Sequence, residues 1–103
     1  MITDNMNQEQ MMQLIRAVLA LENEEEALAF FEDIFTIREL QSVAQRLSVA
    51  QLLSKKVTYQ EIAETTCAST ATISRVNHSL SYGAGGYQKV LAKIRAKDEA
   101  KDR

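Results

Sequence analysis

Residues 58–80 read Thr58-Tyr-Gln-Glu-Ile-Ala-Glu-Thr-Thr-Cys67-Ala-Ser69-Thr-Ala-Thr-Ile-Ser-Arg-Val-Asn-His-Ser-Leu80. This stretch predicts two short helices joined by a tight turn. Thr58 and Glu61 have the spacing of a capping box, with Val57 and Ile62 as its hydrophobic staple. They open a helix over about 59–65. Thr66-Cys67-Ala68 forms the turn, and Ser69 caps a second helix over about 70–80. Glycine is the usual residue at the Cys67 position, because the backbone there tends to the left-handed region. A side chain at such a position costs about 1 kcal/mol. Ile62, Ala63, Ala68, Ile73, Val76 and Leu80 face inward if the helices cross steeply. Thr70, Ala71, Thr72, Ser74, Asn77 and His78 face outward, with Arg75 beside them and Ser69 at the leading edge. That face is short, polar and free of carboxylates. Hydroxyls, amides and small methyls of this kind read base edges in the major groove. The expectation is a DNA-binding helix-turn-helix over 58–80.

The rest of the chain supports an all-α fold. Its 103 residues include no proline, three glycines and 46% apolar residues. That length fits one domain, with 1–7 and 98–103 expected to be flexible. A single cysteine leaves no internal disulfide and fits a reducing cytoplasm. No apolar run reaches membrane-spanning length, and the start has no signal-peptide character.

A net charge of −2 looks unfavourable for a DNA binder, but the charges are segregated. Residues 1–35 carry eight acidic residues against Arg16, a net of −7. Residues 36–80 have a net of +2 and residues 81–103 a net of +3. Counterion release follows the local patch, so this distribution is compatible with binding phosphate.

Further helices follow from apolar spacing. Met11, Leu14, Ile15, Val18, Leu19 and Leu21 mark one over about 8–21. Asn23 caps a second, which holds all three phenylalanines, Phe30, Phe31 and Phe35, and reads as a core cluster. Thr36 and Glu39 form a capping box for a third helix from Ile37 to about Lys55. Its expected stripe is Ile37, Leu40, Val43, Ala44, Leu47, Ala50 and Leu53, with Val49 and Leu52 off it. Excess apolar surface on these three helices points to a homodimer with a shared core. Lys55 and Lys56 end the third helix within reach of phosphate. Residues 81–86 form a helix stop and linker, and a last helix runs over about 87–97, its lysines solvated or near phosphate. One histidine, His78, and one cysteine, Cys67, lie on different elements. They make neither a nucleophilic pair nor a metal site, and enzymatic activity is not expected.

These residues resemble a known family. Ala-Thr-Ile-Ser-Arg at 71–75 and Asn-His-Ser-Leu at 77–80 are similar to the tryptophan repressor superfamily. Residues 36–40, 58–62, 68–76 and 82–87 look like its YerC/YecD subgroup. The resemblance spans roughly 8–95. It implies a six-helix Trp-repressor-like fold, an intertwined homodimer and repression of transcription through operator DNA. By position, the family's DNA contacts fall on Tyr59, Gln60, Ala63, Thr70, Ala71 and Ser74. The family's corepressor residues fall on Arg75, Ser79 and the Gln45–Arg46 pair. Val76 replaces the glycine that makes room for the indole. Tryptophan is therefore not expected as corepressor, and no cofactor is assigned. The expected partners are double-stranded DNA and a second copy of the chain. The alternative is a protein-interaction dimer that keeps the fold without binding DNA or corepressor.

Overall fold

The computed structural model describes residues 7–101. It contains six helices: α1 Gln8–Leu19, α2 Glu24–Ile34, α3 Ile37–Ser54, α4 Tyr59–Thr66, α5 Thr70–Tyr82 and α6 Gly86–Lys101. No strand occurs among the described residues. The chain divides into two compact units, one ending at Leu40 and the other beginning at Gln41, so the boundary falls inside α3.

In the N-terminal unit, short polar side chains start each helix. Asn7 Oδ1 accepts the Gln10 N–H at 3.1 Å, which fixes the start of α1. Asn23 Oδ1 accepts the Glu26 N–H at 2.8 Å. Glu24, Glu25 and Glu26 then occupy the first turn of α2, where the helix dipole favours negative charge. The Thr36–Glu39 box closes in both directions: Glu39 Oε1 accepts the Thr36 N–H at 2.9 Å, and Thr36 Oγ1 accepts the Glu39 N–H at 3.1 Å. The Thr36 N–H donated to the ionised carboxylate, and next the Thr36 hydroxyl beside it, hold the Glu39 carboxyl below the usual glutamate value of 4.5.

Phe31 stacks edge-on against Phe35 with ring centroids 5.7 Å apart, and Phe30 lies 6.2 Å from Phe31. The phenylalanines thus cluster as expected, but each stays half-buried. None of residues 7–40 is buried. Leu19, Leu28 and Ile37 are 78%, 56% and 76% exposed.

The C-terminal unit holds the core. Val49 and Ala50 of α3, Ile62 of α4, Ala68 of the turn, Ile73 and Val76 of α5, and Leu91 of α6 form one buried cluster. Leu47, Leu52, Leu53, Val57, Ala63, Leu80 and Tyr87 pack around it. The buried seam of α3 therefore centres on Val49 and Ala50. Val49 lies off the stripe read from the sequence, while Val43, on that stripe, is 40% exposed. The reason is tertiary, since the buried residues of α4, α5 and α6 gather around the 49–50 side.

Two connections show strain and close approach. After α3, the Val57 N–H reaches Leu52 O at 3.1 Å and the Lys56 N–H reaches Leu53 O at 3.0 Å. This is a Schellman pair, which needs a left-handed residue. Lys56 takes that role at φ 65°, a conformation the sequence reading did not anticipate. Between α5 and α6, a Cβ at Gly83 would collide with the Ser79 carbonyl, so only glycine fits. Gln88 Nε2 donates to Leu80 O at 2.6 Å and ties the start of α6 to the end of α5.

The helix bounds differ from expectation mainly at the termini. α1 stops at Leu19 rather than Leu21. α6 continues through Lys101, where a flexible tail from 98 was expected. Alanine, lysine and glutamate are good helix formers, and Arg95 and Glu99 have the favourable four-residue spacing. Residue 7 is the α1 cap rather than a loose end. Residues 1–6 and 102–103 of the expected flexible ends lie outside the described residues.

Two outcomes follow from this wiring. Lys56→Gly relieves the left-handed strain and should stabilise the fold by about 1 kcal/mol in urea unfolding; an unchanged midpoint would contradict the strain. The Glu39 carboxyl is lowered in the folded chain. Its contribution is thus present above the unfolded glutamate value and lost as pH falls through the folded one. Glu39→Gln should flatten the acid-side decline of the thermal midpoint, and an identical decline would reject the linkage.

Candidate nucleic-acid interface

Buried apolar residues fix α4 and α5, and short hydrogen bonds fix the turn between them. Thr58 Oγ1 accepts the Glu61 N–H at 3.3 Å and starts α4. Ile62 is fully buried beneath it. At the far end, the Thr66 hydroxyl donates to Ile62 O at 2.7 Å and accepts the Ala68 N–H at 3.2 Å. Gln45 Nε2, from α3, donates to Thr66 O at 3.0 Å. Cys67 sits in the left-handed region, φ 61° and ψ 16°, with its N–H bonded to Ala63 O. This is the conformation expected for the position where glycine is usual. Ser69 Oγ then accepts the Thr72 N–H at 3.1 Å and starts α5.

Ile73 and Val76 are buried and Leu80 is half-buried on the inner side of α5. That register leaves Thr70, Ala71, Ser74, Arg75, Asn77 and His78 exposed. Thr72 differs from the expectation. It is half-buried, and its hydroxyl pairs with Ser69 Oγ at 3.1 Å. Ser69, Tyr59 and Gln60 are exposed ahead of α5. Ala63 packs against the core and is half-buried, which suits a spacer between helices. Lys55 and Lys56 are exposed at the α3–α4 turn. Residues 65–88 contain no Asp or Glu, so no carboxylate of α5 opposes a phosphate.

The four candidate effector residues converge. Gln45, Arg46, Arg75 and Ser79 line one cleft of about 630 Å³, together with Ser42, Thr72, Ser74, Val76, His78 and Tyr87. Gln45 has a second task there, since its amide nitrogen braces Thr66. Val76 is among the residues lining the cleft, although it is only 2% exposed.

Sequence reasoning missed one participant, Tyr87, and the contacts of two residues it had named, Thr66 and His78. Tyr87 reaches the cleft from α6, which only the tertiary arrangement brings near. Thr66 locks the turn through its hydroxyl. His78 lies against Tyr82 with ring centroids 5.0 Å apart, a contact that their four-residue spacing could have revealed. Among the described residues no group of three or more His, Cys, Asp or Glu could hold a metal. No helix among them is long and apolar enough to cross a membrane.

A model of the Trp repressor protein family matches residues 9–95. The chain is 44% identical over 92 residues to the Bacillus subtilis protein YerC, covering 89% of this chain and 88% of that one. A crystal structure of a candidate Trp repressor from Staphylococcus aureus superposes with a TM-score of 0.87 at 40% identity. It covers 92% of this chain and 95% of that one. A TrpR-like protein from Eubacterium eligens gives a TM-score of 0.81 at 50% identity, covering 84% of this chain and 89% of that one.

The turn gives a direct test. Thr66→Val keeps the shape but removes both hydroxyl bonds and strands the Ala68 N–H beside a buried residue. It should destabilise the fold by about 1–3 kcal/mol in urea unfolding, while Thr66→Ser should stay close to the parent.

Proposed function

The chain belongs to the Trp repressor family, and on that premise we propose that it is a sequence-specific DNA-binding transcriptional regulator, a repressor, acting as a homodimer. Its α4–turn–α5 segment is the helix-turn-helix. One observation carries this reading: burial of Ile73 and Val76 turns a carboxylate-free face of α5 to solvent. Thr70, Ala71, Ser74, Asn77 and His78 are the base-reading set, and Tyr59 and Gln60 flank it. Lys55, Lys56 and Arg75 hold phosphates, which positions the protein without specifying sequence.

The dimer is supported by the N-terminal unit. Its described residues bury no side chain, yet they expose Leu14, Ile15, Val18, Leu19, Leu28 and Ile34. Helices with that much uncovered apolar surface need a partner. A second copy would supply it and would set two reading helices about 34 Å apart, one turn of duplex.

The cleft beside α5 is the place for an effector. Arg46 and Arg75 favour an anionic group there, with Gln45 and Ser79 as neutral partners. Val76 stands where the family's slot for the indole opens, so tryptophan is not the occupant this wall favours.

Replacing Thr70 and Ser74 by glutamate places two negative charges on the proposed reading face. In a gel-shift assay on upstream DNA, Thr70→Glu with Ser74→Glu should lose at least about tenfold in affinity while sedimentation still shows the dimer. Parent protein that binds this DNA no better than random duplex would sink the sequence-specific reading. It would favour the protein-interaction alternative, to which the net charge of −2 lends some support.

A further inference from the structure

Lys89, Lys93, Lys97 and Lys101 stand four residues apart along α6, and all four are exposed. At about 100° and 1.5 Å per residue, successive lysines are about 6 Å apart and turn about 40°. They form a slowly winding ladder about 18 Å long. Like charges at this spacing repel one another and weaken the helix that carries them. Mutual repulsion therefore offsets part of what these lysines contribute to α6 as good helix formers, and only Lys101, in the last turn and three residues after Asp98, has charges placed in its favour. The two acidic residues of this helix, Asp98 and Glu99, follow Lys97 directly. They point about 100° and 200° round the helix from it.

We propose that this ladder is a second, sequence-independent contact for the phosphate backbone of duplex DNA. It would engage DNA beside the segment read by α5. This rests on the DNA-binding reading above and adds a surface outside the helix-turn-helix. The anchoring of α6 supports it. Leu91 is buried in the core cluster, Tyr87 packs against that cluster, and Gln88 is bonded to the last turn of α5. The lysines thus ride on an element fixed to the reading helix. Their span corresponds to about five base-pair steps of 3.4 Å. A phosphate lattice is the polyanion suited to such a run, because each lysine acts as a point charge needing no particular base. A lipid surface fits less well. Leu91 is buried, Ile94 is half-buried, and Val90 is the one half-exposed large apolar residue of the helix. Little is left to insert beside the charges.

The salt dependence of binding tests the proposal on random duplex between about 50 and 200 mM salt. Each lost phosphate contact should make the slope of log K against log salt shallower by about 0.9. The triple variant Lys89→Gln, Lys93→Gln, Lys97→Gln should therefore lose about 2.7 per ladder. The single Lys93→Gln should lose about 0.9, and the triple arginine variant should keep the parent slope. Circular dichroism should show the helix content unchanged, since glutamine forms helix well and the repulsion is gone. Parent-like slopes in the glutamine variants, with the parent binding duplex, would overturn the ladder and leave the reading face intact. Parent protein that binds no duplex even at the lowest salt would overturn both. Vesicles containing phosphatidylserine provide the remaining arm. Binding to them that the triple glutamine variant loses, with no change in its DNA slope, would assign the ladder to a membrane surface and reject the proposal.

Discussion

The arrangement of the C-terminal unit depends on the mutual burial of Val49, Ile62 and Ile73, each fully removed from solvent. No polar or charged side chain is buried among the described residues. Apolar contact therefore sets the helix register. Once Ile73 and Val76 point inward, the 100° step of an α-helix carries Ala71, Ser74 and His78 to the opposite side, while Thr70 and Asn77 flank the inner stripe and are exposed as well. The proposed reading face is thus a by-product of the core. Burial of a side chain of this size contributes about 1.5–3 kcal/mol, several times the value of a typical exposed ion pair.

Polar groups refine what the core holds. Three hydrogen bonds converge on Thr66, and through it α3, α4 and the turn are joined. The turn needs this support because Cys67 adopts a conformation that disfavours any side chain with a Cβ. Lys56 carries the same kind of strain one connection earlier, where a Schellman pair demands it. Both strained residues flank α4, the shortest helix. The placement of α4 is maintained against the local preference of the chain at each end, and surrounding contacts supply the difference.

Charge and shape are divided between the two halves of the sequence. Acid is concentrated before residue 36, and the basic residues gather on the segments around α5 and on α6. The cleft lined by Arg46 and Arg75 shares Thr72, Ser74 and His78 with the proposed reading helix. An occupant of that cleft would touch the element proposed to meet DNA, so binding at either place would bias the other if the helix has two positions. The departure at Val76 alters the wall of this cleft while leaving the face of α5 untouched, because the side chain points inward.

Much of this was legible in the chain because its signals are local. Thr36 with Glu39, Thr58 with Glu61 and Ser69 with Thr72 name their helix starts through bonds spanning three residues. The left-handed turn at Cys67 follows from the helix that ends before it and the cap that comes after. The spacing of Ile73, Val76 and Leu80 gives the inner side of α5, and hence its outer one. What lay beyond the sequence was every feature that joins distant segments. Val49 is off the apparent stripe of α3, yet it is buried, because α4 and α5 supply the surface that covers it. Gln45 braces Thr66 across 21 positions, and Tyr87 meets Arg75 in one cleft. A helix propensity or a cap is decided within one turn of chain. Which side of a helix becomes the inside depends on the neighbour that arrives there, and that neighbour is specified only when the whole chain packs.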